Sequence, residues 1–165
     1  RQNSADRAFR RDAATAGTQV PTIPIVSASN SRVLETAGKD TPPGVIHSRY
    51  LKDAADPANK DDPGYKEWVA FMAKHLPDAN KNDWLNVYGY TIAQTLVTVL
   101  KASGNDLTRA NVMKQATTLK DVKLPMLING TTVNNSPERY TQMTSLQLIR
   151  FDGTRWVPFG ELLKN

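Results

Sequence analysis

The side chains able to perform acid–base, metal or nucleophilic chemistry are few and scattered in this sequence. Cysteine is absent, which excludes disulfides, thiolate catalysis and zinc–thiolate sites. The two histidines, His47 and His75, are far apart in the sequence, and a structural or surface role is favoured because no convergent partners accompany either. No glycine-rich phosphate loop, nucleophile elbow or paired-histidine zinc motif occurs. The sequence therefore predicts a protein that is not an enzyme and has no metal or cofactor.

An aspartate-rich stretch invites comparison with calcium sites. It contains Asp53, Asp56, Asp61 and Asp62, but it lacks the ligand spacing and the central glycine of an EF-hand loop. Asp62 directly precedes Pro63, a pair that suits the beginning of a helix. The stretch is therefore interpreted as a solvated loop that ends in a helix cap.

Two segments have the composition of small-molecule contacts. Ser27, Ala28 and Ser29 follow a predicted strand and open a predicted helix, which is where open α/β sheets bind ligands, although small polar residues also form simple turns. Asn86 and Tyr88 lie near the start of an apolar helix. Core packing is the default role of an aromatic residue there, but a tyrosine at that end of an α/β unit can also face a crevice.

The elements that would position these segments follow from periodicity and from capping residues. Helices are predicted over residues 5–16, around residues 33–37, after Asp62, from Asp83 to Gly104, and after Thr108. The helix from Asp83 is apolar on most sides, which predicts that it is buried. Strands are predicted at Thr22–Val26, Gly44–Leu51, Leu124–Ile128, Thr131–Val133, Thr144–Phe151 and Arg155–Phe159, with Asp152 and Gly153 forming a hairpin turn. This order predicts an α/β fold, a parallel sheet flanked by helices, with a C-terminal β-hairpin.

The charge distribution narrows the classes of partner. The chain of 165 residues has a formal net charge of +5, but lysine and arginine are interleaved with acidic residues and form no stripe. Nucleic-acid binding is therefore not expected. No run of eighteen or more apolar residues occurs, so no membrane span is predicted. The polar start at Arg1, without methionine, leads us to expect a processed or truncated end.

The order and spacing of several runs resemble the branched-chain-amino-acid-type solute-binding proteins of ABC transporters. The likeness covers nearly the whole chain and lies in residues 44–46, 50–53, 60–64, 66–68, 86–90, 93–96, 106–109, 111–116, 151–153 and 156–157. Members of this family, the type I periplasmic binding proteins, have two α/β lobes that close on a ligand, and the closed form docks on a membrane permease. The resemblance implies a periplasmic protein that binds a small amino acid, or an aromatic or aliphatic carboxylate, for import.

The resemblance also implies an organisation for the chain. Residues 1–140 would form most of the second lobe, residues 141–165 would form the C-terminal crossing and hairpin strands, and the first lobe would be absent. Exposed apolar surface at the absent lobe would favour self-association of the fragment. Ser27, Ala28, Ser29, Asn86 and Tyr88 would contact the ligand. Leucine-type binders carry an acidic residue at the position aligned with Ser27, and a hydroxyl cannot replace its charge, which favours an aromatic acid over an amino acid.

Two other interpretations remain open from the sequence. A ligand-sensing domain of a receptor or regulator has the same fold, and a neighbouring permease gene would distinguish a transporter component from it. An α/β enzyme with catalytic residues upstream is the second alternative, and turnover by the full chain would identify it.

Overall fold

The computed structural model describes residues 44–164, together with Ala8, Asp12 and residues 15–17. The chain has a mixed α/β fold, as predicted. Contacts divide it into two units: residues 1–49 with 147–163, and residues 50–146 with 164–165. The first unit is made of two separate segments of the chain, and its boundaries differ from the expected division at residue 140. This division by contacts does not identify lobes, so the assignment of lobes to residues 1–140 and 141–165 stays a prediction.

The described part of the first unit is built on antiparallel strands. Strand β1 is Ile46–Arg49, β2 is Ser145–Phe151, and β3 is Trp156–Pro158. β2 lies between β1 and β3, with His47 opposite Ile149 and Phe151 opposite Trp156. A short fourth strand, β4 (Leu163–Lys164), also pairs with β2. The β1–β2 and β2–β3 pairings are antiparallel. The predicted strand Thr22–Val26 lies outside the described residues.

The predicted hairpin turn between β2 and β3 is confirmed. The Asp152 carboxylate accepts hydrogen bonds from the amides of Thr154 and Arg155, both at 2.8 Å. Gly153 has a φ of 105°, a conformation that glycine adopts without the steric cost of a side chain. The apolar side chains of this unit form one buried cluster, comprising Val45, Ile149, Phe151 and Trp156.

The second unit contains three helices whose starts were predicted from their caps. Helix α1 is Pro63–His75, α2 is Trp84–Ser103 and α3 is Arg109–Ala116. Their N-caps are the side chains of Asp62, Asp83 and Thr108, each of which accepts a hydrogen bond from an amide of the first turn. Capping residues are local signals, which is why the sequence located these helices well.

Two buried clusters hold the second unit together. The first joins α1 to α2 through Trp68, Met72, Val87 and Tyr90, with Met126 from the later loop. The second joins Val99 of α2 to residues that follow α3, namely Leu119, Leu124, Leu127 and Val133. The Tyr90 hydroxyl donates to the Glu67 carboxylate at 3.1 Å, which adds a polar link between α1 and α2. Burial, followed by this carboxylate, raises the pKa of Tyr90 to about 12.

The prediction that α2 is buried on most sides is wrong. Val87, Tyr90 and Val99 are buried, but Leu85 is 58% exposed, Ile92 51% and Leu96 53%. The apolar periodicity of a helix shows that a face avoids water in some state of the protein, but it does not identify what covers that face. A large apolar surface of α2 is therefore open to solvent.

The predicted strands Leu124–Ile128 and Thr131–Val133 are also wrong as continuous elements. This segment makes only isolated bridges, Leu51 with Leu127 and Val133 with both Val122 and Met143. Pro125 has no amide to donate, and the Leu127 amide bonds to the Leu124 carbonyl in a turn. The β-branched and apolar residues that suggested strands are instead used for burial, since Leu124, Leu127 and Val133 all lie in the second cluster.

Candidate functional site

The predicted contact residues fall in two parts of the chain, and the structure describes one of them. Ser27, Ala28 and Ser29 lie outside the described residues, so their role as ligand contacts stays a prediction. Asn86 and Tyr88 lie in the first turns of α2, in the unit formed by residues 50–146. The geometry of the candidate site is therefore that of the α2 start.

Two aromatic rings lie one helical turn apart at the start of α2. The ring centroids of Trp84 and Tyr88 are 5.4 Å apart, with 48° between the ring planes. Tyr88 is 38% exposed, and Trp84 is half-buried. The Asp83 side chain accepts from the Leu85 amide at 3.0 Å, so the helix begins at a defined residue and the ring positions follow from it. Both side chains are therefore partly open to solvent.

A second phenol, Tyr50, interacts electrostatically with Tyr88. Burial raises the pKa of Tyr50, and this interaction raises that pKa further. The Tyr50 carbonyl accepts from the Ile128 amide at 2.9 Å, which holds this residue in the second unit. At neutral pH the Tyr50 phenol stays protonated, so it can donate to one ligand oxygen and accept from another group.

Sequence reasoning did not identify Tyr50 as a site residue. It lies within the run 50–53 that carries the family likeness, and it directly follows β1. A residue at the end of a strand is well placed for ligand contact in open α/β sheets, so its position was the available signal. Its nearness to Tyr88 depends on tertiary structure and could not be predicted.

Asn86 does not share a face with the aromatic pair. Successive residues of an α-helix are rotated by roughly 100°, so a side chain two positions from Tyr88 points to nearly the opposite side. The Asn86 side-chain nitrogen donates to the Asn80 carbonyl at 2.8 Å. This bond holds the loop before α2 against the helix. The structure thus shows a positioning contact for Asn86, and its contact with a ligand stays a prediction.

Both histidines have structural contacts, in agreement with their predicted roles. His47 is 2% exposed, and its ring lies 6.2 Å from that of Trp156. His75 lies 4.8 Å from the ring of Phe71 on α1. Among the residues that the structure describes, no group of three histidine, aspartate or glutamate side chains is arranged to hold a metal ion. Within the same residues, no helix is both long and apolar enough to cross a membrane.

A separate surface depression lies away from the α2 start. It has a volume of about 310 Å³ and is lined by residues of the segments 118–120 and 134–144, including Lys120 and Arg139. Neither Asn86 nor Tyr88, the two predicted contact residues that the structure describes, lines it. The side-chain oxygens of Asn134 and Asn135, which also line it, accept hydrogen bonds from the backbone amides of Asp121 and Leu119, respectively. The polar groups of the depression are therefore used to hold the surrounding loops together. We treat the depression as distinct from the candidate site.

The helices and strands described above place the chain in the mixed α/β class of proteins. A family model described as periplasmic binding protein matches residues 5–152. The chain belongs to this family of periplasmic binding proteins, which confirms the resemblance found in the sequence. Its members bind solutes outside the cytoplasm, so the family implies an extracytoplasmic location. No curated protein sequence matches the chain at a significant level.

Two solved structures share the fold. The first is a branched-chain amino acid ABC transporter protein from Thermus thermophilus with bound valine. It is 16% identical, with a TM-score of 0.73, over 96% of this chain and 43% of that one. The second is a possible leucine/isoleucine/valine-binding protein from Rhodopirellula baltica SH 1. It is 11% identical, with a TM-score of 0.72, over 93% of this chain and 39% of that one. The chain thus spans less than half of each.

Proposed function

We propose that this chain is part of the extracytoplasmic solute-binding component of an ABC importer. The observation that carries the proposal is the match of the periplasmic-binding-protein model to residues 5–152. A protein of this kind has no chemical step to perform: it needs a surface that recognises a solute and a second surface that closes over it. In this role the chain is not an enzyme, and its two partners are the solute and the transporter permease.

The side chains near the start of α2 support a ligand with a flat or apolar body. Trp84 and Tyr88 offer ring faces for stacking, and the phenols of Tyr88 and Tyr50 offer hydrogen bonds to an oxygen of the ligand. Ser27 has a hydroxyl where the resemblance places an acidic residue in leucine-type binders. An aromatic carboxylate therefore fits the proposed site better than an amino acid, whose ammonium group would lack a charged partner.

In this proposal, capture of the solute depends on two binding surfaces, one on each lobe. A ligand that touches both lobes binds the closed form more tightly than the open form and shifts the population toward closure. The permease then distinguishes the closed form from the open one. Because the chain spans less than half of each similar structure, it supplies only part of the cleft. Its own affinity for the solute should therefore be weak, about millimolar or weaker.

Replacing Tyr88 by alanine should weaken binding of an aromatic carboxylate by about fivefold, because a stacking contact contributes on the order of 1 kcal/mol. The fluorescence of Trp84 reports this, since Trp68 and Trp156 are buried at 0% and 4% exposure. We would titrate the chain with benzoate-type carboxylates and with branched-chain amino acids, and identify the Trp84 signal as the one lost in Trp84→Phe. Saturable quenching by the aromatic acids is the expected result.

The matched control for this titration is Leu107→Ala. Leu107 is 61% exposed and lies outside α2, so its truncation removes apolar surface without touching the aromatic pair. Equal weakening by both variants would contradict a specific site at the α2 start. Micromolar affinity of the chain alone would contradict the proposal that tight binding requires both lobes. Conversion of any solute to a product, followed by NMR, would favour the enzyme alternative.

A ligand-sensing domain of a receptor or regulator is the other function compatible with this fold. It would use the same closure but pass the signal to another domain of its own chain. The two are distinguished by reconstitution with the neighbouring permease, since only an importer component stimulates its ATP hydrolysis in the presence of solute.

A further inference from the structure

A tight turn joins the loop before α2 to the helix itself. The Asn80 carbonyl accepts two hydrogen bonds, from the Asp83 amide at 3.1 Å and from the Asn86 side-chain nitrogen at 2.8 Å. The Asn80 side-chain oxygen accepts a further bond from the Asn82 amide at 3.0 Å. Residues 80–86 therefore form a closed network, and Asn86 contributes to it from within the helix.

Trp84 lies inside this network, at the first residue of α2. The amides of the first turn lack intrahelical partners, so the start of a helix frays unless other groups hold it. Val87 is buried at 1% exposure and anchors the helix in the first cluster, and Ala79 packs against the same cluster. Between these two anchors, the bond from Asn86 to the Asn80 carbonyl holds the first turn against the loop.

The network and the ring contact between Trp84 and Tyr88 are both local. All of their atoms belong to residues 80–88, so these contacts do not depend on what covers the outer face of α2. The side chains of Asn86 and Tyr88 point to nearly opposite sides of the helix. Asn86 can therefore act on the aromatic pair without contacting the ligand.

We propose that Asn86 is a positioning residue for the aromatic pair, and that its bond to the Asn80 carbonyl sets a preference for flat ligands. The ligand preference, though not the positioning, rests on the proposed function. Stacking needs a defined separation and orientation of the rings, whereas an aliphatic group gains from burial at any ring orientation. Loss of the bond should therefore weaken binding of an aromatic carboxylate more than binding of an aliphatic one.

Asn86→Asp removes the bond with little change in side-chain size. An ionised carboxylate cannot donate to the Asn80 carbonyl. A negative charge in the first turn interacts favourably with the helix dipole, so α2 itself should not be weakened. Asn59→Asp is the matched control: the Asn59 side-chain nitrogen also donates at 2.8 Å to a carbonyl six residues earlier, that of Asp53, in another loop.

Near-ultraviolet circular dichroism tests the positioning without any ligand. The contribution of Trp84 is the part of the spectrum that Trp84→Phe removes in each background. Asn86→Asp should lose most of this contribution while its far-ultraviolet spectrum stays native, and Asn59→Asp should keep it. An unchanged Trp84 contribution in Asn86→Asp would overturn the proposal, and weaker ligand binding together with that result would identify Asn86 as a direct ligand contact.

The ligand preference is tested by titration with benzoate and cyclohexanecarboxylate, which have the same charge and ring size but differ in planarity. In Asn86→Asp the affinity for benzoate should fall about fivefold and that for cyclohexanecarboxylate less than about twofold, because only benzoate stacks. Equal losses would overturn the preference. If the native chain binds neither acid, the proposed function and the preference both fail, and the circular dichroism alone decides the positioning role.

Discussion

Gly64→Ala should be the most destabilising single-methyl substitution in the second unit, lowering the free energy of unfolding by about 3 kcal/mol or more. A Cβ atom at position 64 would lie 2.1 Å from the Pro125 carbonyl oxygen and 2.9 Å from the Pro125 Cα. Both atoms are backbone, so no side chain can rotate away to relieve the overlap. The first turn of α1 would have to move off the 124–128 segment, which carries the buried Met126 and Leu127.

Gly89→Ala is the matched control for this substitution. Gly89 is also helical, and an added Cβ meets nothing within 4 Å. Alanine is a better helix former than glycine, so this variant should gain up to about 1 kcal/mol. Urea denaturation followed by circular dichroism measures both. Similar stability of the two variants would show that α1 and Pro125 are not in close contact.

Lys52→Met should lower the free energy of unfolding by about 3 kcal/mol, because it leaves a largely buried carboxylate without its cation. The Lys52 ammonium donates to the Asp62 carboxylate at 2.7 Å and to the Pro125 carbonyl at 2.8 Å. The two side chains are only 9% and 15% exposed. Asp62 also caps α1 through the Tyr65 amide, so the lysine holds the start of that helix to the 124–128 segment.

Lys66→Met is the control for charge removal alone. Lys66 lies 3.7 Å from Asp61, but the two side chains are 62% and 85% exposed, and such pairs contribute little. The expected change is a few tenths of a kcal/mol, measured by the same urea denaturation. A loss at Lys66 as large as the loss at Lys52 would contradict the role of burial.

The pH dependence of stability gives this pair a second readout. Burial acts to raise the pKa of the Asp62 carboxyl, but the bonds from Lys52 and from the Tyr65 amide outweigh it, so the pKa is lowered from 3.8. A group with a lowered folded pKa contributes stability above its unfolded pKa, and that contribution is lost as pH falls through the folded value. In Lys52→Met, burial and the backbone amides of Tyr65 and Gly64 remain as influences on the Asp62 pKa. Its acid unfolding should therefore begin at a higher pH than that of the native chain.

The candidate site was only partly predictable from the sequence. Tyr88 was recognised because an aromatic residue near a helix start is a local pattern, and the structure places it beside Trp84. Tyr50 was missed because it lies far from Tyr88 in the sequence, and only folding brings the two phenols into electrostatic interaction. Asn86 was grouped with Tyr88 because the family resemblance matches this helix start to a contact region, but helical rotation sends its side chain to the Asn80 carbonyl.

The sequence by itself determined where the helices begin and where the C-terminal hairpin turns, because caps and turns depend on residues within one or two turns of each other. Asp62, Asp83, Thr108 and Asp152 all act as their local patterns predict. Only the tertiary structure decided which face of α2 is covered and that residues 124–133 form bridges in place of strands. It also decided that Gly64 must lack a side chain. These depend on contacts between segments distant in the chain, and hydrophobicity drives burial without specifying the partner.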